Sequence, residues 1–308
     1  MKPERLNPPG NGCPRLGRVH GGSARGRVRS CAAWASRLIV LGALVLAASG
    51  AAGPAVQIAA HRGGALLWPE NSLLAFRNAL ALGVDLLELD VHLTSDGEVV
   101  VIHDPTLERT STGTGAVAAA RLADLSGTRL RARDGPVTAE PVPTLAQVLD
   151  VLRPTQAELL LEIKIDAARR PYAGIEEKTL ALVNAKGLRE RTVVMAFEPD
   201  TLRRVRALDA GIRTTMLVSR SRVERERAAA PTVVGWATEV GATSLGVDHR
   251  VVDAPLVTAA RQAGLRMAAW TVNTEPDIRR ILDLGVDVVI SDQPDLALRL
   301  AGRQPRTP

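Results

Sequence analysis

The sequence predicts a (β/α)8 barrel behind a basic leader, on three observations: short β-branched runs, amphipathic stretches between them, and a stretch of roughly 250 residues that holds both. Eight runs have the length and composition of buried strands: 57–60, 86–93, 159–163, 192–196, 213–217, 244–247, 266–271 and 288–291. Helical spacing lies between them. Ser72 is placed to cap a run with Leu73, Phe76 and Leu80 on one face, and 277–284 sets Ile278, Ile281 and Leu282 on one side. Parallel strands need crossover helices, so this alternation favours the closed barrel, with a doubly wound open sheet as the alternative.

Taken in chain order, residues 1–54 read as a leader. They hold eight of the 39 Lys and Arg and one of the 33 Asp and Glu, which leaves 31 basic against 32 acidic residues in the remainder. The net charge of +6 is therefore a property of the leader, and the folded part has no nucleic-acid footprint. The order of basic segment, apolar core 38–48 and small residues 49–54 is that of a secretory signal, and a core this short falls below the roughly 20 residues that span a bilayer. An extracytoplasmic protein is expected, secreted or periplasmic, touching a membrane only if the leader stays uncleaved. Cys13 and Cys31 lie before that core, so the remainder has no disulfide, thiolate nucleophile or Cys-ligated zinc. With 46% apolar and 23% charged residues, disordered, collagenous and coiled-coil classes are excluded. The expected organisation is leader 1–54, barrel 55–302 and polar tail 303–308. Within the barrel, 104–143 lacks a clear period and reads as an insertion over the mouth.

Chemistry enters on the second strand. Side chains alternate along a strand, so Glu88, Asp90 and His92 share one face and Leu87, Leu89 and Val91 the other. In a barrel the polar face points inward near the carboxyl ends, where barrel enzymes place their sites. Two adjacent carboxylates repel, and a divalent cation lets both stay ionised. Alone, the pattern fits an exposed edge strand equally well. The apolar run 159–161 ends in Glu162 and Lys164 on one face, and a third carboxylate beside Glu88 and Asp90 makes an oxygen-rich site suited to Mg²⁺ or Ca²⁺. An ordinary Glu162–Lys164 ion pair is the simpler reading. His61 follows the first strand and His103 ends the run 99–102, so both are candidates for the barrel mouth and for acid–base work; either also fits a structural strand-end histidine. Arg62 before Gly63-Gly64 suits a phosphate or a tight turn.

Together these residues resemble the glycerophosphodiester phosphodiesterase family. The resemblance runs through His61-Arg62-Gly63, Pro69-Glu70-Asn71-Ser72, Glu88-Leu89-Asp90-Val91 with Thr94, Asp96 and Gly97, and Val101-Ile102-His103-Asp104. It continues with Leu107, Arg109-Thr110, Pro143-Thr144-Leu145, Leu161-Glu162-Ile163-Lys164, Trp270-Thr271-Val272-Asn273, Gly285-Val286-Asp287 and Ser291-Asp292-Gln293-Pro294. It covers roughly residues 58–300. It implies a barrel with an insertion after the second strand. Glu88, Asp90 and Glu162 would hold one divalent cation, Ca²⁺ or Mg²⁺, His61 and His103 would perform acid–base catalysis, and Arg62, Lys164 and Trp270 would bind substrate. His92 and His249 are left without a catalytic role. Ser72, Ser95 and Ala196-Phe197 depart from the commoner family residues and bear on substrate preference.

The implied reaction is hydrolysis of a small glycerophosphodiester, such as glycerophosphocholine or glycerophosphoethanolamine, to glycerol 3-phosphate and an alcohol. Which imidazole is acid and which base stays open, with His103 preferred as the acid. Two alternatives accompany it: a lysophospholipase D on the same scaffold, and a non-catalytic extracytoplasmic binding protein.

Overall fold

A computed structural model describes residues 55–133 and 135–307 of the chain, so the expected leader and its secretory role lie outside the described residues. Among the described residues nine strands and ten α-helices follow in the order β1 (Gln57–Ala60), α1 (Leu73–Leu82), β2 (Leu86–Leu93), β3 (Val99–Val101), α2 (Leu122–Leu125), α3 (Leu145–Leu152), β4 (Glu158–Ile163), α4 (Ile175–Ala185), β5 (Thr192–Ala196) and α5 (Pro199–Leu208). They continue as β6 (Arg213–Val218), α6 (Arg220–Glu226), α7 (Ala230–Glu239), β7 (Ser244–Asp248), α8 (Ala254–Gln262), β8 (Arg266–Trp270), α9 (Glu275–Leu284), β9 (Val288–Ser291) and α10 (Pro294–Leu300). All eight strands read from the sequence are present, each within one residue at either end.

Eight of the strands run parallel, and β9 pairs back onto β1 along four residues, which closes the (β/α)8 barrel and excludes the open sheet. β1 meets only Leu86 and Leu87 of β2. Further along the same edge the antiparallel β3 takes its place, pairing at Val91, His92 and Leu93. This substitution lifts the end of β3, and the loop after it, to the barrel mouth.

Strand parity separates two cores. Leu87, Leu89 and Val91 of β2, with Leu159 and Leu161 of β4, pack outward against the helices. Leu86, Leu160, Val193, Met195, Leu217 and Ile290 fill the barrel axis. The inward face of β2 thus begins with Leu86 and turns acidic at Glu88, and that of β4 passes from Leu160 to Glu162. Apolar filling below and charge above is what places the chemistry at the carboxyl ends.

The one cap expected from the sequence forms. Ser72 Oγ accepts a hydrogen bond from the Ala75 N–H at 3.0 Å and starts α1. α9 begins two residues earlier than its apolar spacing suggests, because Thr274 is its cap and Pro276 fits its first turn. Segment 104–143 is aperiodic for a physical reason. It wraps Leu107, Val117, Leu125, Leu130 and Val142 into a separate cluster with Val100 and Ile102, tied by isolated bridges and by Ser111 Oγ donating to the Leu107 carbonyl at 2.6 Å. The tail is not loose: Arg303 bonds the Asp85 carboxylate and the Gly83 carbonyl, and the Arg306 N–H reaches the Leu82 carbonyl at 3.0 Å. Among the described residues no helix is long and apolar enough to cross a membrane.

Candidate active site

His61, Arg62, Glu88, His103, Glu162, Lys164 and Trp270 line one cavity of about 430 Å³ at the carboxyl ends of the strands. Asp90, the remaining residue singled out from the sequence, is fully buried and braces the cavity from behind. Its position follows from register: Asp90 sits opposite Glu162 across the β2–β4 pair, and Glu88 opposite Leu160. Oxygens of Glu88, Asp90 and Glu162 come within 4.8 Å of one another.

The cations around this triad are shared. Lys164 Nζ lies 2.7 Å from Glu162 and 3.4 Å from Asp90. Arg62 donates its backbone N–H to Glu88 at 2.8 Å, while its side chain stands 3.4 Å from Asp90 and 3.1 Å from Glu70. That reach depends on a left-handed backbone at Arg62 (φ 52°), and Gly63 follows at φ 82°. Asn71 Nδ2 donates to Asp90 at 3.0 Å.

The charges do not balance evenly. Burial opposes ionisation of Asp90, yet Lys164 and Arg62 outweigh it and hold the carboxyl well below its ordinary range. Burial pushes Glu162 up to about 7 against the pull of Lys164, with Asp90 adding to the push. Glu88 is raised well above the ordinary value by burial, then by Asp90 and Glu162. Two carboxyls short of positive charge, beside an Asp90 Oδ1 that accepts no hydrogen bond, are a donor set suited to a hard divalent cation.

Both imidazoles are anchored alike. His61 Nδ1 is 2.6 Å from Asp292 Oδ1, and His103 Nδ1 is 2.6 Å from Asp104 Oδ1. A carboxylate only accepts, so each neutral ring carries its proton on Nδ1 and leaves Nε2 as the basic nitrogen. Asp292 is fixed in turn by Asn273, whose Nδ2 donates to it at 2.6 Å. Asp104 is gripped by Arg109 at 2.6 and 2.9 Å, and Arg109 continues to Glu70 at 2.9 and 3.0 Å. An ion-pair chain therefore runs from His103 through Asp104, Arg109 and Glu70 to Arg62. Burial lowers the His103 pKa, with Asp104 pulling the other way.

Sequence reasoning assigned no role to Asp292, Asp104, Arg109, Glu70 or Asn71. Asp292 had a readable signal, since it continues the inward parity of Ile290 two residues past it; the others come from loops. His92 is fully buried, bonded to the Tyr172 hydroxyl at 2.8 Å and to the His103 carbonyl at 3.1 Å, so it supports the His103 backbone. His249 lies near Asp277 and Arg280, away from the cavity. Trp270 walls the cavity edge-on to Phe197 at 5.5 Å between centroids, and its indole Nε1 is buried without a partner.

Comparison with known proteins agrees with this geometry. The glycerophosphoryl diester phosphodiesterase family model matches residues 61–296. A glycerophosphodiester phosphodiesterase of Caldanaerobacter subterraneus is 32% identical over 246 residues, which are 79% of this chain and 96% of that one. Another from Bacillus subtilis is 31% identical over 77% of this chain and 83% of its own length. A phosphodiesterase of Oleispira antarctica, solved with the product sn-glycerol 3-phosphate, superimposes with a TM-score of 0.66 at 27% identity, covering 80% of this chain and 97% of that one. The chain belongs to the glycerophosphoryl diester phosphodiesterase family.

Proposed function

We propose that this enzyme, a phosphoric diester hydrolase by family, cleaves small glycerophosphodiesters to glycerol 3-phosphate and an alcohol by metal-dependent acid–base catalysis with His61 and His103. The observation that carries the reading is the pairing of two carboxylate-anchored imidazoles with a three-carboxylate cluster around one cavity.

Glu88, Asp90 and Glu162 would hold one divalent cation, Ca²⁺ or Mg²⁺ by the hardness of their oxygens. When bound, such an ion neutralises charge on the phosphoryl oxygens. The chain's own groups do the rest. Lys164 and Arg62 keep Asp90 ionised and present positive charge at the cavity surface, where charge builds on the phosphoryl group. Trp270, which walls the cavity, would pack against the bound substrate. One imidazole takes a proton on Nε2 from the nucleophile, either water, which gives glycerol 3-phosphate directly, or the neighbouring glycerol hydroxyl, whose cyclic phosphate is then opened by water; its carboxylate partner stabilises the imidazolium. The other, having received a proton, returns it to the departing alkoxide. Because both rings are held in the same tautomer, the side from which the alkoxide leaves decides which acts as acid.

The test is a coupled assay for glycerol 3-phosphate release from a glycerophosphodiester, with and without chelator. Release should stop on chelation, and His61→Ala or His103→Ala should lower the rate about 10²- to 10⁴-fold. Rates within a few-fold of wild type would remove the acid–base assignment. Of the competing readings, a lysophospholipase D needs a long apolar trough beside the cavity, and there Ile165, Phe197 and Leu217 share the lining with Arg169, Glu198, Ser219, Ser221, Arg222 and Arg225. A binding protein has no use for two such imidazoles. We propose export for the mature enzyme, on the order of charge and apolarity in residues 1–54; Edman sequencing of protein recovered outside the cytoplasm tests it.

A further inference from the structure

Over Lys164, Phe197 and Leu217 the catalytic cavity adjoins a second depression of about 920 Å³. Its far side carries Arg169, Arg222 and Arg225, with the hydroxyls of Ser219 and Ser221 between them. Apart from the Glu162–Lys164 pair that both spaces share, three guanidinium groups face one carboxylate, Glu198. Arg222 is held in place, its guanidinium 3.8 Å above the Trp236 ring, and it shares Glu226 with Arg225 at 3.3 and 3.6 Å. Two arginines on one acid leave a net positive charge. Arg169 sits in a turn closed by its N–H to the Asp166 carbonyl at 2.9 Å, in a left-handed backbone state (φ 60°) that an arginine adopts at a cost.

We propose that this groove receives the alcohol half of the diester and selects alcohols that carry an anionic group of their own. The proposal rests on the catalytic reading above. Lys164 borders both spaces, so a phosphodiester held there has its glycerol on the enclosed side and its alcohol in the wider groove. A quaternary ammonium head group needs an open aromatic face or unpaired acids. Phe197, the aromatic residue lining the groove, is already packed edge-on to Trp270, and Glu198, the acid there outside the Glu162–Lys164 pair, is outnumbered by the three guanidinium groups that line the same groove. A phosphate or carboxylate on the alcohol finds planar donors instead.

Three substrates with the same glycerophosphoryl half test this: glycerophosphoglycerol, its derivative phosphorylated on the distal glycerol, and glycerophosphocholine. The phosphorylated diester should exceed glycerophosphocholine in kcat/KM by about tenfold or more, chiefly through KM, and the advantage should shrink as salt rises. The double variant Arg169→Ala/Arg225→Ala should erase that advantage, bringing kcat/KM for the phosphorylated diester down to that for glycerophosphoglycerol in the same variant. Equal kcat/KM for all three, a preference for choline, or an advantage that survives the double variant overturns the groove assignment while leaving the hydrolase reading in place. No release from any of the three overturns both.

Discussion

Replacing Glu162 by Gln should stabilise the metal-free enzyme while abolishing its response to metal. The carboxylate oxygens of the triad approach within 4.8 Å, and at that distance two unit charges repel by about 3.5 kcal/mol at an effective dielectric constant near 20. Lys164 offsets part of this, but it is shared with Asp90. Burial, with Asp90 adding to it, leaves Glu162 titrating at about 7 rather than at the ordinary 4.5. A carboxyl whose folded pKa is raised favours the folded state least where it must ionise. The penalty is absent below the unfolded value, grows between pH 4.5 and 7, and is complete above 7. Its size follows from the shift, on the order of 3 kcal/mol at 1.36 kcal/mol per unit. Glutamine keeps the shape, and its carbonyl still accepts from Lys164. In chelator at pH 8 the variant should therefore melt about 6–12 °C above wild type, taking about 2–4 °C per kcal/mol for a domain of this size. At pH 4.5 the two should melt together. Added Ca²⁺ or Mg²⁺ should raise the wild-type Tm and leave the variant's unmoved, and the wild-type affinity for the ion should fall about tenfold per pH unit below 7 as Glu162 holds its proton. A variant less stable than wild type in chelator at pH 8, or one that keeps the metal-induced shift, would refute the idea that this carboxyl is held ionised for an ion.

Asp292→Asn should lower kcat about 10²- to 10⁴-fold with little change in KM, because an amide allows the His61 ring to take the other tautomer; steady-state kinetics within threefold of wild type would remove Asp292 from the mechanism. Gly63→Ala should destabilise by about 1–3 kcal/mol, read as a lower urea midpoint, since its Cβ would lie 2.8 Å from the Ala75 Cβ in a backbone state of φ 82°. An unchanged midpoint would mean that the turn carrying Arg62 relaxes freely.

What the sequence makes legible is whatever a strand carries in its own alternation. Glu88, Asp90 and Glu162 can be placed on inward faces because β2 and β4 are long enough to show the period, and the turn from Leu86 to Glu88 and from Leu160 to Glu162 marks where filling ends and chemistry begins. Register is another matter. That Asp90 faces Glu162, rather than Glu88 doing so, is decided by pairing between segments about seventy residues apart in the chain. Loops carry no period at all, and the residues that orient the two imidazoles come from them. Arg109 reaches Glu70 across 39 residues of chain, and it reaches Asp104 only because segment 104–143 folds on a small apolar cluster of its own. Read as a lid, that segment would have only to cover the site. In the structure it also supplies the ion pair that holds the Asp104 partner of His103, so this grip and the small apolar cluster belong to one segment. The tail gives the opposite lesson. Its polar composition reads as solvated chain, yet Arg303 and Arg306 dock on the turn between α1 and β2, because the orphan carbonyls at the end of α1 and the Asp85 carboxylate need donors that composition alone does not assign.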